Sequence, residues 1–140
     1  MTSEFSVAVH ALVYLNHKGI SLSSEELAEN VCTNAARIRK VMAMLKKAGI
    51  VVTKEGIEGG YQFILDPGSV TLYDISRALN VRFVASAWHS GDTDMDCLIA
   101  SGMADIMDEI YLKMDKQCQE YLAAITIKTI DQRIFKNPGQ

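Results

Sequence analysis

The chain has no Cys-x-x-Cys pair, only two prolines and no long apolar run, and each shortage narrows what it can be. Its uninterrupted apolar stretches span a handful of residues, far short of the ~20 that a membrane helix needs. Two prolines and nine glycines in 140 residues exclude collagen-like, proline-rich and disordered classes. The opening MTSEFSVAVH carries no basic segment and no small-residue cleavage site, so a cytoplasmic protein is expected. Cys32, Cys97 and Cys118 are odd in number and too widely spaced for a disulfide framework or a zinc ribbon. His10, His17 and His89 show no metal-ligand spacing. Glycine-rich phosphate loops, paired catalytic carboxylates and nucleophile elbows are all missing, and a nucleophile at Cys32 would need a base and an oxyanion site, so no enzyme is expected.

What remains is an ordinary folded composition, 49% hydrophobic and 22% charged, in about one domain's length of chain. The net charge of −3 hides an uneven distribution. Between Asn34 and Lys54 lie Arg37, Arg39, Lys40, Lys46, Lys47 and Lys54, with no acid among them. Acids outnumber bases from residue 67 onward.

Apolar residues at helical spacing predict a first helix over residues 5–17. Ser23 and Glu26 have capping-box spacing and open a short helix carrying Leu27, Ala28 and Val31. Cys32-Thr33-Asn34 breaks it, and Thr33 or Asn34 can cap the next helix. There Ile38, Val41, Met42 and Leu45 form one stripe, leaving Ala36, Lys40, Ala43 and Lys47 outward with Arg37 and Arg39 flanking. Small and basic residues on that face suit close approach to a polyanion. Residues 50–53 and 61–65 read as strands around a glycine-bearing turn, so a helix-turn-helix is followed by a β-wing. Residues 71–80 predict a further short helix, and 89–97 an acidic loop. Residues 99–127 carry the longest helical pattern, with an apolar arc through Ile106, Met107, Ile110, Tyr111, Met114, Cys118, Tyr121, Leu122 and Ile125. A helix of that kind is most economically covered by a second copy. Cys118 and Met103, Met107 and Met114 read as packing residues of that stripe, and Trp88 as a packing residue where two domains meet.

The segments Ser24-Glu25-Glu26-Leu27-Ala28, Ile38-x-x-Val41-x-x-x-Leu45-Lys46-Lys47-Ala48-Gly49-Ile50-Val51, Gly56-x-x-Gly59-Gly60-Tyr61-x-x-x-Leu65 and Thr71-Leu72-x-Asp74-Ile75 resemble the Rrf-two (BadM-type) family of bacterial transcriptional regulators. The resemblance implies a mostly α (α+β) homodimer in which residues 1–80 are a winged helix-turn-helix and residues 81–140 a linker loop and dimerisation helix, paired through residues 99–127. It implies a double-stranded DNA operator as partner, repression as the usual outcome, and no membrane.

Thr33, Asn34, Ala36, Arg37 and Lys40 then lie at the start of the helix that enters the major groove. Asn34 and Arg37 are candidates to read base edges, and Lys46, Lys47 and Lys54 to hold phosphate. Gly59 and Gly60 allow a tight wing turn against backbone, and Tyr61 reads as wing core. Where the family's wing usually has Arg before its first glycine, this chain has Glu55, with Glu58 nearby, which weakens nonspecific affinity. No cofactor is expected: cluster-binding members place three cysteines before the long helix, and here only Cys97 is present. Cys32, ahead of a helix N-terminus, and Cys97 are candidate redox thiols, pairing between subunits as the family's dimer would allow. The alternative is a winged helix used purely for protein interaction, without intrinsic DNA affinity.

Overall fold

In the computed structural model, which describes residues 2–136, the elements run α1 (Thr2–Lys18), α2 (Ser24–Val31), α3 (Ala35–Lys47), β1 (Val52–Lys54), β2 (Gly60–Gln62), α4 (Leu72–Ala78), α5 (Leu98–Ala123) and α6 (Ile127–Phe135). The fold is mostly helical with one two-stranded antiparallel sheet, as expected for a winged helix-turn-helix. Two compact units are present, residues 2–81 with 122–136, and residues 82–121.

The first unit is built on one apolar core. α1 contributes Ala8, Ala11, Leu12 and Leu15, α2 Leu27, and α3 Ile38, Val41, Met42 and Leu45, all essentially inaccessible to solvent. Local chemistry sets the helix starts. Ser23 and Glu26 form the reciprocal capping box of α2, Asn34 caps α3, and Thr71 with Asp74 caps α4. The hairpin is shorter than the sequence predicts. Ile50 and Val51 leave the ladder and are buried in the core, so β1 begins at Val52 and pairs only with Gly60–Gln62. Tyr61 also exchanges both backbone hydrogen bonds with Leu22 (2.8 and 3.0 Å), so the strand is held from both sides. Phe63 then turns into the core while Ile64 and Leu65 face out.

The long C-terminal pattern divides differently from expectation. α5 stops at Ala123, and Thr126 and Thr129 cap a separate helix, α6. Ile125 is therefore no part of the α5 stripe. Its carbonyl accepts from Leu72 N (2.9 Å), Ile127 N donates to the Val70 carbonyl (3.1 Å), and Ile127 is fully buried. Residues 122–136 thus pack with the first unit, apart from the rest of the linker loop and dimerisation helix expected over 81–140. The last four residues of that segment lie outside the described ones.

Within the second unit, Asp115 is the sole residue of α5 that is buried. Its carboxylate accepts from Phe83 N (3.0 Å), Val84 N (3.2 Å) and Gln119 Nε2 (3.0 Å), tying the segment before α5 to the helix. Trp88 is 76% exposed, which corrects its expected packing role.

Gly60 has φ +147°, and a Cβ there would run into the Leu22 backbone. Gly60→Ala should therefore lower unfolding free energy by about 1–3 kcal/mol, read as an earlier urea midpoint. Gly68→Ala, where a Cβ meets only ordinary contacts, should leave the midpoint nearly unchanged.

Candidate nucleic-acid interface

Because α3 buries Ile38, Val41, Met42 and Leu45, its opposite side must carry Ala36, Arg39, Lys40, Ala43, Lys46 and Lys47, all exposed. Thr33 and Arg37 are half-buried beside this face. At its start, Asn34 Oδ1 accepts from Arg37 N (2.8 Å). The carbonyl oxygen offered by the sequence reading for base contact is thus occupied in capping the helix. Arg37 Nη2 donates to Ser3 Oγ in the first turn of α1 (2.6 Å), and Lys40 Nζ donates to Glu4 Oε1 (2.9 Å). Arg39 Nη1 donates to Ser24 Oγ (3.3 Å) and lies 3.7 Å from the Glu25 carboxylate. Lys46 donates to Thr53 Oγ1 on the wing (3.1 Å). Among the described residues, the side chains of Lys47 and Lys54 enter no ion pair or hydrogen bond.

These partners, Ser3, Glu4, Ser24 and Glu25, were missed by sequence reasoning. Glu4 lies 36 positions from Lys40, and no local pattern announces such a pair. The Lys40 hydrogen bond holds the Glu4 carboxyl below the usual carboxylate range. The Glu25 carboxyl is lowered too, mainly by its own backbone N–H and then by Ser24.

At the wing, Lys54, Glu55, Gly56, Ile57 and Glu58 are exposed. Gly59 packs so closely over the Lys54 carbonyl, and Gly60 over Leu22, that neither has room for a Cβ. Tyr61 is half-buried in the hairpin between Thr53 and Leu22, consistent with wing core.

Cys32 departs from its expected place at a helix start, whereas Cys97 lies just ahead of the long helix. Cys32 is exposed at the C-terminal end of α2 in a left-handed conformation (φ +64°), its thiol donating toward the Glu29 and Asn30 carbonyls (3.7 and 3.9 Å). The chain turns there before α3 begins, so the thiol faces terminal carbonyls rather than the first N–H groups of α3. Cys97 instead sits at the start of α5, where the N–H groups of Ala100 and then Ile99 lower its thiol pKa. Cys118 is half-buried along α5.

Residues 1–132 match the family described as "Rrf2: Iron-dependent Transcriptional regulator". The "Putative HTH-type transcriptional regulator YwnA" of Bacillus subtilis (strain 168) is 26% identical over 137 residues, covering 96% of this chain and 99% of that protein. A crystal structure of a "putative transcriptional regulator" from Lactobacillus plantarum superposes with TM-score 0.83 at 26% identity, covering 99% of this chain and 93% of the other. The IscR of T. potens shares the fold, with TM-score 0.73 at 20% identity over 99% of this chain and 90% of its own.

The family description names iron, and the donor positions do not fit a metal held by one chain. Among the described residues no three His, Cys, Asp or Glu side chains converge. Cys97 and Cys118 lie about 30 Å apart at the helical rise along α5.

Two measurements check the geometry. Asn34→Ala should cost about 1 kcal/mol in urea unfolding, with most of the loss recovered by Asn34→Ser. Iodoacetamide modification of Cys97 should reach its plateau rate at lower pH than an unstructured peptide of the same local sequence, because a lowered thiol pKa makes thiolate available sooner as pH rises. Identical profiles would place Cys97 away from the α5 N–H groups.

Proposed function

The chain belongs to the Rrf2 family of transcriptional regulators, and from that premise we propose that it is a homodimeric repressor reading a specific DNA operator through α3. Family and relatives are regulators rather than enzymes. The observation that carries the reading is the exposed side of α3, with Ala36 and Ala43 between cations and Lys54 continuing the basic surface onto the wing. Small side chains there let the helix backbone approach base edges, and Lys47 at its end meets phosphate. Arg37, steadied by Ser3, is the base-reading candidate, with Thr33 and Ala36 beside it. Lys47 at the end of α3 and Lys54 on the wing are the phosphate contacts, and Gly59 and Gly60 shape the wing that presents Lys54.

Dimerisation is assigned to α5. Ile106, Ile110, Met114 and Tyr121 are exposed on it, and a second copy would cover them as well as set two recognition helices about 34 Å apart on the duplex. Cys32 and Cys97, both exposed and free, are the thiols through which peroxide would act, two thiols giving a disulfide and peroxide giving water. Cys97 is the attacking partner in that step, given its helix-start position. No described helix is long and apolar enough to cross a membrane.

A second reading, a protein-interaction module without DNA affinity, draws on the exposed Glu55 and Glu58 at the wing tip. Salt titration separates the two. A DNA reader loses log affinity linearly with log salt. Lys47→Ala should flatten that slope by about 1 and weaken all sequences alike. Arg37→Ala should cost about 1–3 kcal/mol on the operator and relax base preference. Absence of duplex binding at low salt would select the second reading. Ile110→Asp should yield monomers by analytical ultracentrifugation, and peroxide should produce a reducible dimer band that Cys97→Ser abolishes.

A further inference from the structure

The cations of the α3 face are not equally available to a duplex. Lys46 is bonded to a neutral hydroxyl, and Lys47 and Lys54 are unpaired among the described residues. Arg39 and Glu25 meet only at 3.7 Å, with both side chains more than half exposed, a loose pair that solvent screens. Lys40 differs. Its ammonium is 2.9 Å from Glu4 Oε1; the Lys40 side chain is 61% exposed, but the Glu4 side chain is only 28% exposed, so the contact is close and the anion is the sheltered partner. Glu4 is placed there by α1, whose first turn lies alongside α3, and an acid in a helix's first turn is favoured by the N-terminal dipole. Next to it, Ser3 holds Arg37. The first turn of α1 therefore lays a fixed anion on the face that would meet phosphate.

We propose that Glu4 is an internal counter-anion for the recognition helix, keeping Lys40 neutralised so that it does not count among the cations that bind DNA phosphate. This rests on the DNA-binding reading and deepens it, since it names which cations of the surface carry the electrostatic affinity. The consequence is selectivity. Nonspecific affinity is nearly all phosphate neutralisation, so each withheld cation weakens binding to arbitrary sequence. Lys40, although at the helix start where contact was expected, then acts as a brace between α3 and α1. Glu4 is a positioning residue for it.

The experiment is fluorescence-anisotropy titration of the full-length protein against a labelled random-sequence duplex from low to moderate salt. Wild type is compared with Glu4→Gln, Glu4→Ala, Lys40→Gln and the double variant Glu4→Gln/Lys40→Gln, with circular dichroism melting checking the fold of each. The expected pattern is an unchanged salt slope for Lys40→Gln and a slope steeper by about 0.9 for Glu4→Gln and Glu4→Ala, the increment for one added phosphate. Affinity should be higher at low salt for the Glu4 variants, and the wild-type slope should return in the double variant. A slope flattened by about 0.9 in Lys40→Gln alone would overturn the proposal, because duplex would then displace Glu4 in the wild type. Unchanged slopes in both Glu4 variants would overturn it as well. A wild type without duplex affinity would remove the DNA-binding reading itself, and the two failures are thereby distinguished.

Discussion

Burial of one side of α3 governs everything its other side can present. Ile38, Val41, Met42 and Leu45 insert into the core formed with α1 and α2, each worth about 1.5–3 kcal/mol when fully removed from water. A helix held this firmly cannot rotate about its axis without exposing those four residues. The angular position of Ala36, Lys40, Ala43 and Lys47 is therefore fixed by packing, not by any polar contact of their own. The caps at Ser23 and Asn34 act on the same geometry, setting where each helix of the pair begins.

That arrangement explains why a chain of net negative charge can carry a basic surface. Helical periodicity sorts charge by face, and the segment between Asn34 and Lys54 contributes its cations while its neighbours contribute the compensating acids. Glu4, Glu25, Glu55 and Glu58 stand at the margins of that surface rather than far from it. A balanced surface of this kind favours a partner recognised by shape and hydrogen bonding over one held by charge alone.

Much of the first unit was legible in the sequence because its signals are local. The stripe of α3, the Ser23 capping box and the Gly59-Gly60 pair each act over a few residues, and each does in the structure what its spacing implies. Long-range features were not legible. The contacts of Ser3 and Glu4 with α3 arise from helix packing. The break at Ala123 was hidden because apolar residues continue in helical register through Ile125, although Thr126-x-x-Thr129 is a capping signature that could have marked it. For Cys32, adjacency in sequence to Asn34 is no guide to a helix start, because a single left-handed residue turns its thiol back toward α2. Trp88 was expected to find a packing partner, and the segment holding it lies at the surface of the second unit.

The return of α6 to the first unit has a consequence for biosynthesis. Ile127 completes a core otherwise made from the first eighty-one positions, and the Thr71–Thr126 bridge stitches α4 to a strand of chain made much later. On the ribosome, the helix-turn-helix emerges long before its closing piece. A half-made polypeptide therefore carries α3 on an unfinished scaffold, and the core around it closes only when translation has passed α6.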